Sequence, residues 1–299
     1  MPGAGQPIEM PLVSVVTPSW NMGRYLEETI QSVLSQDYPR IEYIVMDGGS
    51  TDETPRILER HGAELRYYVS PDNGAADAIN KGLRLASGDL CAWLSADDTY
   101  LPNAITTVVA AFRDHPAAGV IYGEGLWTDA SGSVLGRYPT SPRAVEEFDR
   151  ECAICQPAAF FRRASVERIG FLNSRLSSAF DYDLWVRLSS CTRFRHIHRD
   201  LATSRMHGAN KTLGQRGATL REAIRVQKTH FGYVPFRSVY AYCSWLIARN
   251  RQFPVPTQPS LPSFALSFPV GLWIDRSAPL RYAGEWGGAL RKGLSRLRR

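Results

Sequence analysis

The sequence predicts an α/β protein: a Rossmann-like, mostly parallel sheet with a mixed second half, followed by a helical C-terminal appendage. Short apolar, β-branched runs alternate with helical patterns through the first hundred residues, the signature of consecutive βα units. From residue 120 the strand-like runs shorten and turn residues stand between them, which favours partly antiparallel pairing. Beyond residue 215 the pattern becomes helical and then rich in proline. With 299 residues, 44% hydrophobic and 21% charged, the chain has room for one large domain and its core.

Each element follows from its local pattern. Residues 12–17 are apolar except Ser14 and Thr17 and read as the first strand. Leu26, Ile30, Val33 and Leu34 then recur at helical spacing. Residues 41–46 form the second strand, after which Ser50, Thr51 and Asp52 offer capping oxygens and Pro55 suits a first helical turn over Ile57 and Leu58. Residues 65–69 make the third strand. After a Pro71–Gly74 turn, Ala76, Ile79, Leu83 and Ala86 form a helical stripe ended by Gly88, and 90–94 is the fourth strand.

Further on, 120–122, 126–128 and 134–138 read as short strands, the last two joined by the turn 130–133. Helical patterns return at 166–169, 182–188, 220–230 and 239–249. Pro254, Pro256, Pro259, Pro262 and Pro269 are expected to break any regular element in their stretch. The expected organisation is a domain over residues 1–215, divided at about residue 100, and an appendage over 216–299 with a basic tail.

Charge and cysteine usage narrow the function classes. From residue 276 onward seven cations face Glu285 alone, which accounts for the whole net charge of +6. The rest is close to neutral, whereas a nucleic-acid footprint places its basic stripe on the folded domain; no nucleic-acid partner is expected. Five irregularly spaced cysteines make a poor disulfide framework and fit a reducing compartment. The N-terminus carries no readable signal peptide, so a cytoplasmic location is expected.

Carboxylates at strand ends are the dominant chemical signal, because open parallel sheets bind ligands outside the carboxyl ends of their strands. Asp47 ends the second strand, Asp72 follows the third, and Asp97 with Asp98 follows the fourth. Asp52 and Asp72, taken singly, suit a cap or turn equally well. Asp97 and Asp98 are adjacent like charges after the apolar run LCAWL, and a divalent ion relieves their repulsion. Oxygen ligands with room for phosphate indicate Mg²⁺ or Mn²⁺.

At these residues the chain resembles the family 2 glycosyltransferases of GT-A fold. The likeness lies in VSVVTPSWNMGRYLEETIQSVLSQDYPRIEYIVMDGGSTDET, in SPDNGAADAINKGLRLASGDLCAWLSADD and in SSAFDYDLWVRL, and covers roughly the first two thirds of the chain. It implies an inverting, metal-dependent enzyme with a nucleotide-sugar donor, most readily a UDP-sugar, and a glycan or lipid-linked acceptor, in cell-surface polysaccharide or glycoconjugate synthesis. Residues 1–100 then serve the donor and 101–215 the acceptor. Thr17, Pro18 and Ser19 match the strand end flanking the nucleoside, Asp47 an acid contacting base or ribose, and Asp72 a further donor-side acid. Asp97 and Asp98 match the metal-binding motif, Asp98 as direct ligand and Asp97 as ribose or secondary contact. Two departures stand out: Ser95 replaces an acid that often begins the motif, and Gly48 replaces a second acid often found after Asp47.

By the same resemblance Asp181 falls on the catalytic base, which deprotonates the acceptor hydroxyl and contributes about 10²- to 10⁴-fold in rate. Asp183 falls on a helical position just after it. Asp181 also suits an N-cap. In SRMHGANKT, His207 matches a histidine beside the metal, and Arg205 and Lys211 match cations near the phosphates; a solvated loop explains the same residues equally well. His196 and His198 alternate on an expected strand but lack a third ligand nearby in sequence. Cys152 and Cys155 form a single CxxC and read as ordinary thiols. Trp127, Tyr182, Trp185 and the 201–215 loop are candidates for a sugar platform, with core packing the alternative, above all for Trp185.

Two other classes compete. A dinucleotide oxidoreductase requires G-x-G-x-x-G where TPSWNMGRY has one glycine, and a nucleotidyltransferase wants a basic glycine-rich loop where only Arg24 is available. A non-catalytic sugar-nucleotide module conflicts with retaining Asp47, Asp97, Asp98 and Asp181 together. In the tail, Trp286, Leu290, Leu294 and Leu297 fall at helical spacing among arginines, the pattern of a segment lying on anionic lipid. The apolar stretch 264–273 is too short to span a bilayer.

Overall fold

The computed structural model describes residues 10–208, 210, 214–248 and 260–297, with side chains in the last helix described to residue 292. The chain divides into two compact units: Met1–Val145 with Ala153–Met206, and Glu146–Cys152 with His207–Arg299.

The first unit opens with β1 (Val13–Ser19), α1 (Gly23–Leu34), β2 (Ile41–Asp47), α2 (Thr54–Arg60), β3 (Arg66–Val69), α3 (Ala75–Leu85) and β4 (Leu90–Trp93). The helical stripes expected from the sequence are the buried ones: Leu26, Ile30 and Val33 on α1, and Ala76, Ile79 and Leu83 on α3. β1 lies between β2 and β4, with β3 beyond β2, all parallel. The order therefore switches direction at β1, where strand ends leave a crevice for a ligand.

Then follow β5 (Thr99–Tyr100), α4 (Ala104–Asp114), β6 (Ala118–Thr128), β7 (Val134–Arg137), α5 (Ala144–Glu147), β8 (Ala159–Arg162), α6 (Arg163–Ile169), α7 (Phe180–Ser189) and β9 (Arg193–Arg205). The sheet runs β3-β2-β1-β4-β8-β6-β9-β5, with β7 on β6. β8 is antiparallel to both β4 and β6, and β9 is parallel to β6, so the second half is mixed as expected. The runs 120–122 and 126–128 are one strand, not two; pairing with β9 carries β6 through Gly123 and Gly125, where the apolar pattern lapses.

The second unit contains α8 (Arg216–Phe231), α9 (Phe236–Ala248), α10 (Leu261–Ile274) and α11 (Pro279–Leu297). α10 corrects the expectation that prolines break this stretch. Pro262 sits in the first turn, where its missing N–H needs no partner, and Ser260 Oγ accepts the Ser263 N–H at 3.3 Å. Pro269 lies inside the helix, and tertiary contacts offset its lost hydrogen bond. Tyr282 Oη donates to the Ser267 carbonyl at 2.7 Å, and the Trp286 ring packs 4.4 Å from Phe264 and 4.8 Å from Phe268. Pro254, Pro256 and Pro259 lie outside the described residues. Among the described residues no helix is long and apolar enough to cross a membrane.

Candidate active site

The ends of β1, β2 and β4 and the loops after them form the crevice rim. Ser19 and Asp47 are register partners at the ends of β1 and β2. Thr17 is buried with its hydroxyl 3.1 Å from that of Tyr43, Pro18 is half-buried, and Ser19 is buried. The Asp47 carboxylate is occupied by its own turn: Oδ2 accepts the Gly49 and Ser50 N–H groups at 3.1 and 2.9 Å, and Oδ1 accepts the Ser50 hydroxyl. Asn21 N–H donates to Ser50 Oγ at 2.7 Å and Asn21 Oδ1 accepts the Thr51 N–H at 2.8 Å. The loops after β1 and β2 are thus one hydrogen-bonded unit.

Asp72 reaches the same place from the loop after β3. A Cβ at Gly48 would stand 2.7 Å from Asp72 Oδ2 and 3.3 Å from Trp20 Cδ1. The glycine therefore lets an acid and an aromatic ring close on one point. Trp20 is 64% exposed. The sequence reading missed it, although a tryptophan immediately after the first strand is a position from which an aromatic face can meet a base.

Asp98 is buried. Its Oδ1 accepts the Arg205 backbone N–H at 2.9 Å, while burial first, and the adjacent Asp97 charge second, push its carboxyl well above the usual range. Thr29 Oγ1 lies 2.9 and 2.8 Å from the carbonyls of Ala96 and Asp98 and holds the turn from below.

Arg205 requires a correction. Expected among cations near the phosphates, it is 3% exposed. Its guanidinium donates to the Asp97 carbonyl at 2.9 Å and to Glu28 Oε2 at 2.6 Å, and stacks 5.0 Å over Tyr25. A cation so engaged braces the acidic turn rather than reaching a ligand. His207 belongs to the second unit, where its carbonyl accepts the Asn210 N–H at 3.1 Å. Lys211 lies outside the described residues.

Asp181 is half-exposed in the first turn of α7, and its Oδ1 accepts the Tyr182 N–H at 2.7 Å. The N-cap residue is Ala179, so the capping alternative does not describe Asp181. Asp183, by contrast, is buried and bonds Arg187 Nε at 2.8 Å, while Arg187 holds the carbonyls of Ile169 and Phe171 at 3.1 and 2.7 Å.

The expected sugar platform is also corrected. Trp127, Tyr182 and Trp185 are 9%, 4% and 0% exposed; they are packing residues because the pleat and the helix turn them inward. All five cysteines are free thiols, and burial pushes the Cys155 thiol up.

The sequence model described as "Glycosyl transferase family 2" matches residues 14–170. The chain belongs to this family.

This family 2 glycosyltransferase is 31% identical over 220 residues to an uncharacterized glycosyltransferase of Rickettsia prowazekii, covering 69% of this chain and 68% of that one. It is 28% identical over 207 residues to the chondroitin synthase of Escherichia coli, covering 68% of this chain but 30% of the synthase. Among solved structures it is similar to Staphylococcus aureus TarS 1–349 in complex with UDP-GlcNAc, at a TM-score of 0.60, 16% identity, and coverage of 94% of this chain and 92% of that chain. It is also similar to the mannosyltransferase PcManGT of Pyrobaculum calidifontis in complex with GDP-Man and Mn²⁺, at 0.58 and 20%, covering 97% and 81%. The fold of this family 2 enzyme is GT-A.

Proposed function

We propose that this glycosyltransferase moves a sugar from a nucleotide-diphosphate sugar, UDP-linked, to a hydroxyl of a glycan or lipid-linked acceptor with inversion at the anomeric carbon, in cell-surface polysaccharide or glycoconjugate synthesis. The observation that carries this reading is the half-exposed Asp181 on the first turn of α7, whose Oδ1 is held by the Tyr182 N–H. A carboxylate at this position can take the acceptor proton as the hydroxyl attacks. Inversion follows from a single displacement with one base.

Thr17, Pro18, Ser19, Asp47, Asp72 and Trp20 line the nucleoside side. Asp72 supplies the carboxylate that Gly48 lacks, with Oδ2 2.7 Å from where a side chain at 48 would begin, and this supports uracil and ribose recognition. The donors named with the similar structures are UDP-GlcNAc and GDP-Man.

Asp98, with Asp97, would hold a divalent ion, Mn²⁺ or Mg²⁺. The donor set fits: two consecutive carboxylates, one raised first by its burial and then by the charge of the other, are hard oxygen ligands whose repulsion a cation relieves. When bound, the ion supplies neutralisation of the departing diphosphate. Arg205 and Thr29 fix the turn on which both acids sit. His207 and Lys211 remain proposed for the metal and the phosphates.

The proposed domain runs over 1–215, donor half then acceptor half, with 216–299 as appendage. A cytoplasmic location beside the membrane's inner face is proposed from α11. Leu280 and Leu290 are 87% and 38% exposed along a helix that also carries the exposed Arg291 and Lys292.

Incubation with a panel of nucleotide sugars, with product anomers read by NMR, tests the reaction. A UDP-sugar consumed only with divalent metal, giving an inverted product, is expected. A retained anomer, or full turnover in excess EDTA, overturns it.

A further inference from the structure

β9 follows β6 in parallel, but not residue for residue. Tyr122 pairs with His196 and Glu124 with Asp200, so two steps along β6 are matched by four along β9. The surplus residues make a bulge, a device that re-aims side chains. Gly123 admits it: a Cβ there would lie 2.6 Å from Leu201 Cδ1 and 2.7 Å from the Arg199 carbonyl.

The bulge sets His196 and His198 against one glutamate. Glu124 Oε1 stands 3.1 Å from His196 Nε2 and 3.5 Å from His198 Nδ1, and the imidazole centroids are 4.5 Å apart at 90°. Side chains two residues apart on a regular strand start about 6.6 Å from each other. All three ligand atoms lie within 4.8 Å of one another. A tetrahedral ion with bonds of about 2.0–2.2 Å needs its ligand atoms roughly 3.3–3.6 Å apart, so both measured edges fall near that spacing.

The His196 side chain is 4% exposed, yet neither ring nitrogen makes a hydrogen bond of acceptable geometry; its approach to Glu124 is one of distance alone. Buried polar groups are ordinarily satisfied, and each exception calls for a partner. Arg137, which could have neutralised Glu124, spends both terminal nitrogens on Asp200 at 2.7 and 3.1 Å. The His198 side chain is 81% exposed, so the cluster opens to solvent on that side.

We propose that Glu124, His196 and His198 form a binding site for a borderline divalent transition metal of the Zn²⁺ class, with a coordination position open to solvent. Two imidazoles and one carboxylate select such an ion over Mg²⁺, which sets this site apart from the all-oxygen pair Asp97 and Asp98. The bound ion would pin the bulge of β9 to β6. Five residues beyond Asp200 the same strand delivers the Arg205 N–H to Asp98, so the site also steadies the strand that shapes the acidic turn.

The test uses the untagged full chain, stripped with chelator, then titrated with Zn²⁺ by calorimetry and with Co²⁺ by visible absorption. One tight Zn²⁺ equivalent and intense low-coordinate Co²⁺ bands are expected. His198→Ala, at an exposed position, and the near-isosteric Glu124→Gln should each weaken Zn²⁺ binding by at least the 10- to 100-fold that loss of a supporting contact costs. Zn²⁺ should raise Tm in the wild type and not in these variants. Asp98→Ala should keep the Co²⁺ bands, which distinguishes this site from the proposed donor metal. No tight equivalent, or isotherms unchanged in both His198→Ala and Glu124→Gln, overturns the proposal.

Discussion

Trp93 and Trp185 lie face to face, ring centroids 5.5 Å apart and planes 13° from parallel, both sealed from solvent. Trp93 closes β4, whose continuation carries Asp97 and Asp98. Trp185 sits one helical turn after Asp181. The stack couples the backbone bearing the paired acids to the helix bearing the proposed base. Trp185→Ala is expected to cost about 3–5 kcal/mol in urea denaturation, and Trp185→Phe distinctly less. A loss below about 1 kcal/mol for the alanine would deny the stack this role.

Two acids in one helix should separate by phenotype. Asp181→Asn is expected to lower kcat by about two to four orders of magnitude with donor KM nearly unchanged, as when a proton acceptor is lost and binding groups remain. Asp183→Asn should spare kcat and lower stability by roughly 1.5–3 kcal/mol, because it weakens a buried charge-assisted bond to Arg187. Steady-state kinetics beside denaturation curves distinguish the two, and equal kinetic losses would contradict the assignment.

Gly48→Ala probes the donor rim. The backbone at 48 has no positive φ, so the fold tolerates alanine, but the new methyl meets Asp72 Oδ2 at 2.7 Å and must displace it. Donor KM should rise several-fold with little change in Tm. An unchanged KM would remove Asp72 from nucleoside recognition.

His61 bridges Glu27 and Glu64, at 2.8 and 2.9 Å. Burial disfavours its charge, but hydrogen bonds and charge from both glutamates outweigh this and raise its pKa above the ordinary 6.5. The resulting stability is fully present below that ordinary value and is lost as pH climbs through the raised one. The His61 hydrogen bond lowers the Glu27 pKa from 4.5, so that share is present above 4.5 and fades as pH falls through the lowered value. The Tm difference between wild type and His61→Gln should therefore be largest between the ordinary values of 4.5 and 6.5 and shrink as pH rises through the raised His61 value. A pH-independent difference would show that the bridge carries no net charge.

The lipid contact proposed for α11 has a direct assay. Co-sedimentation with anionic vesicles at low salt should fall when Arg291 and Lys292 are both changed to Glu, each cation near the surface contributing about 1 kcal/mol. Trp286 will not contribute, since its Nε1 donates to the Phe264 carbonyl at 3.1 Å. Equal sedimentation of both proteins, or none for either, would leave α11 a packing helix.

What the sequence determined by itself is whatever local periodicity encodes. The stripes Leu26, Ile30, Val33 and Ala76, Ile79, Leu83 name the buried faces of their helices, and acids placed after successive apolar runs name one rim of a parallel sheet, because strand direction and side-chain period follow from a few neighbouring residues. Local reading assigned nothing over 104–114 and misjudged the proline-rich stretch, because tertiary context overrode propensity in both. α4 carries Thr106, Thr107, Val108 and Val109 and still folds as a helix, since Ile105, Val108 and Phe112 find a core to enter. α10 keeps Pro269 because Tyr282 and Trp286 hold it.

Only the tertiary structure decided which side chains meet. Arg205 looked like a phosphate cation until β9 carried it under Asp97 and beside Glu28. Asp72 arrived beside Gly48 from a different loop, and Glu124 reached His196 and His198 across a bulge that shifts the register by two residues. Such contacts depend on strand order and register, which are fixed by packing among distant segments, so no window along the chain contains them.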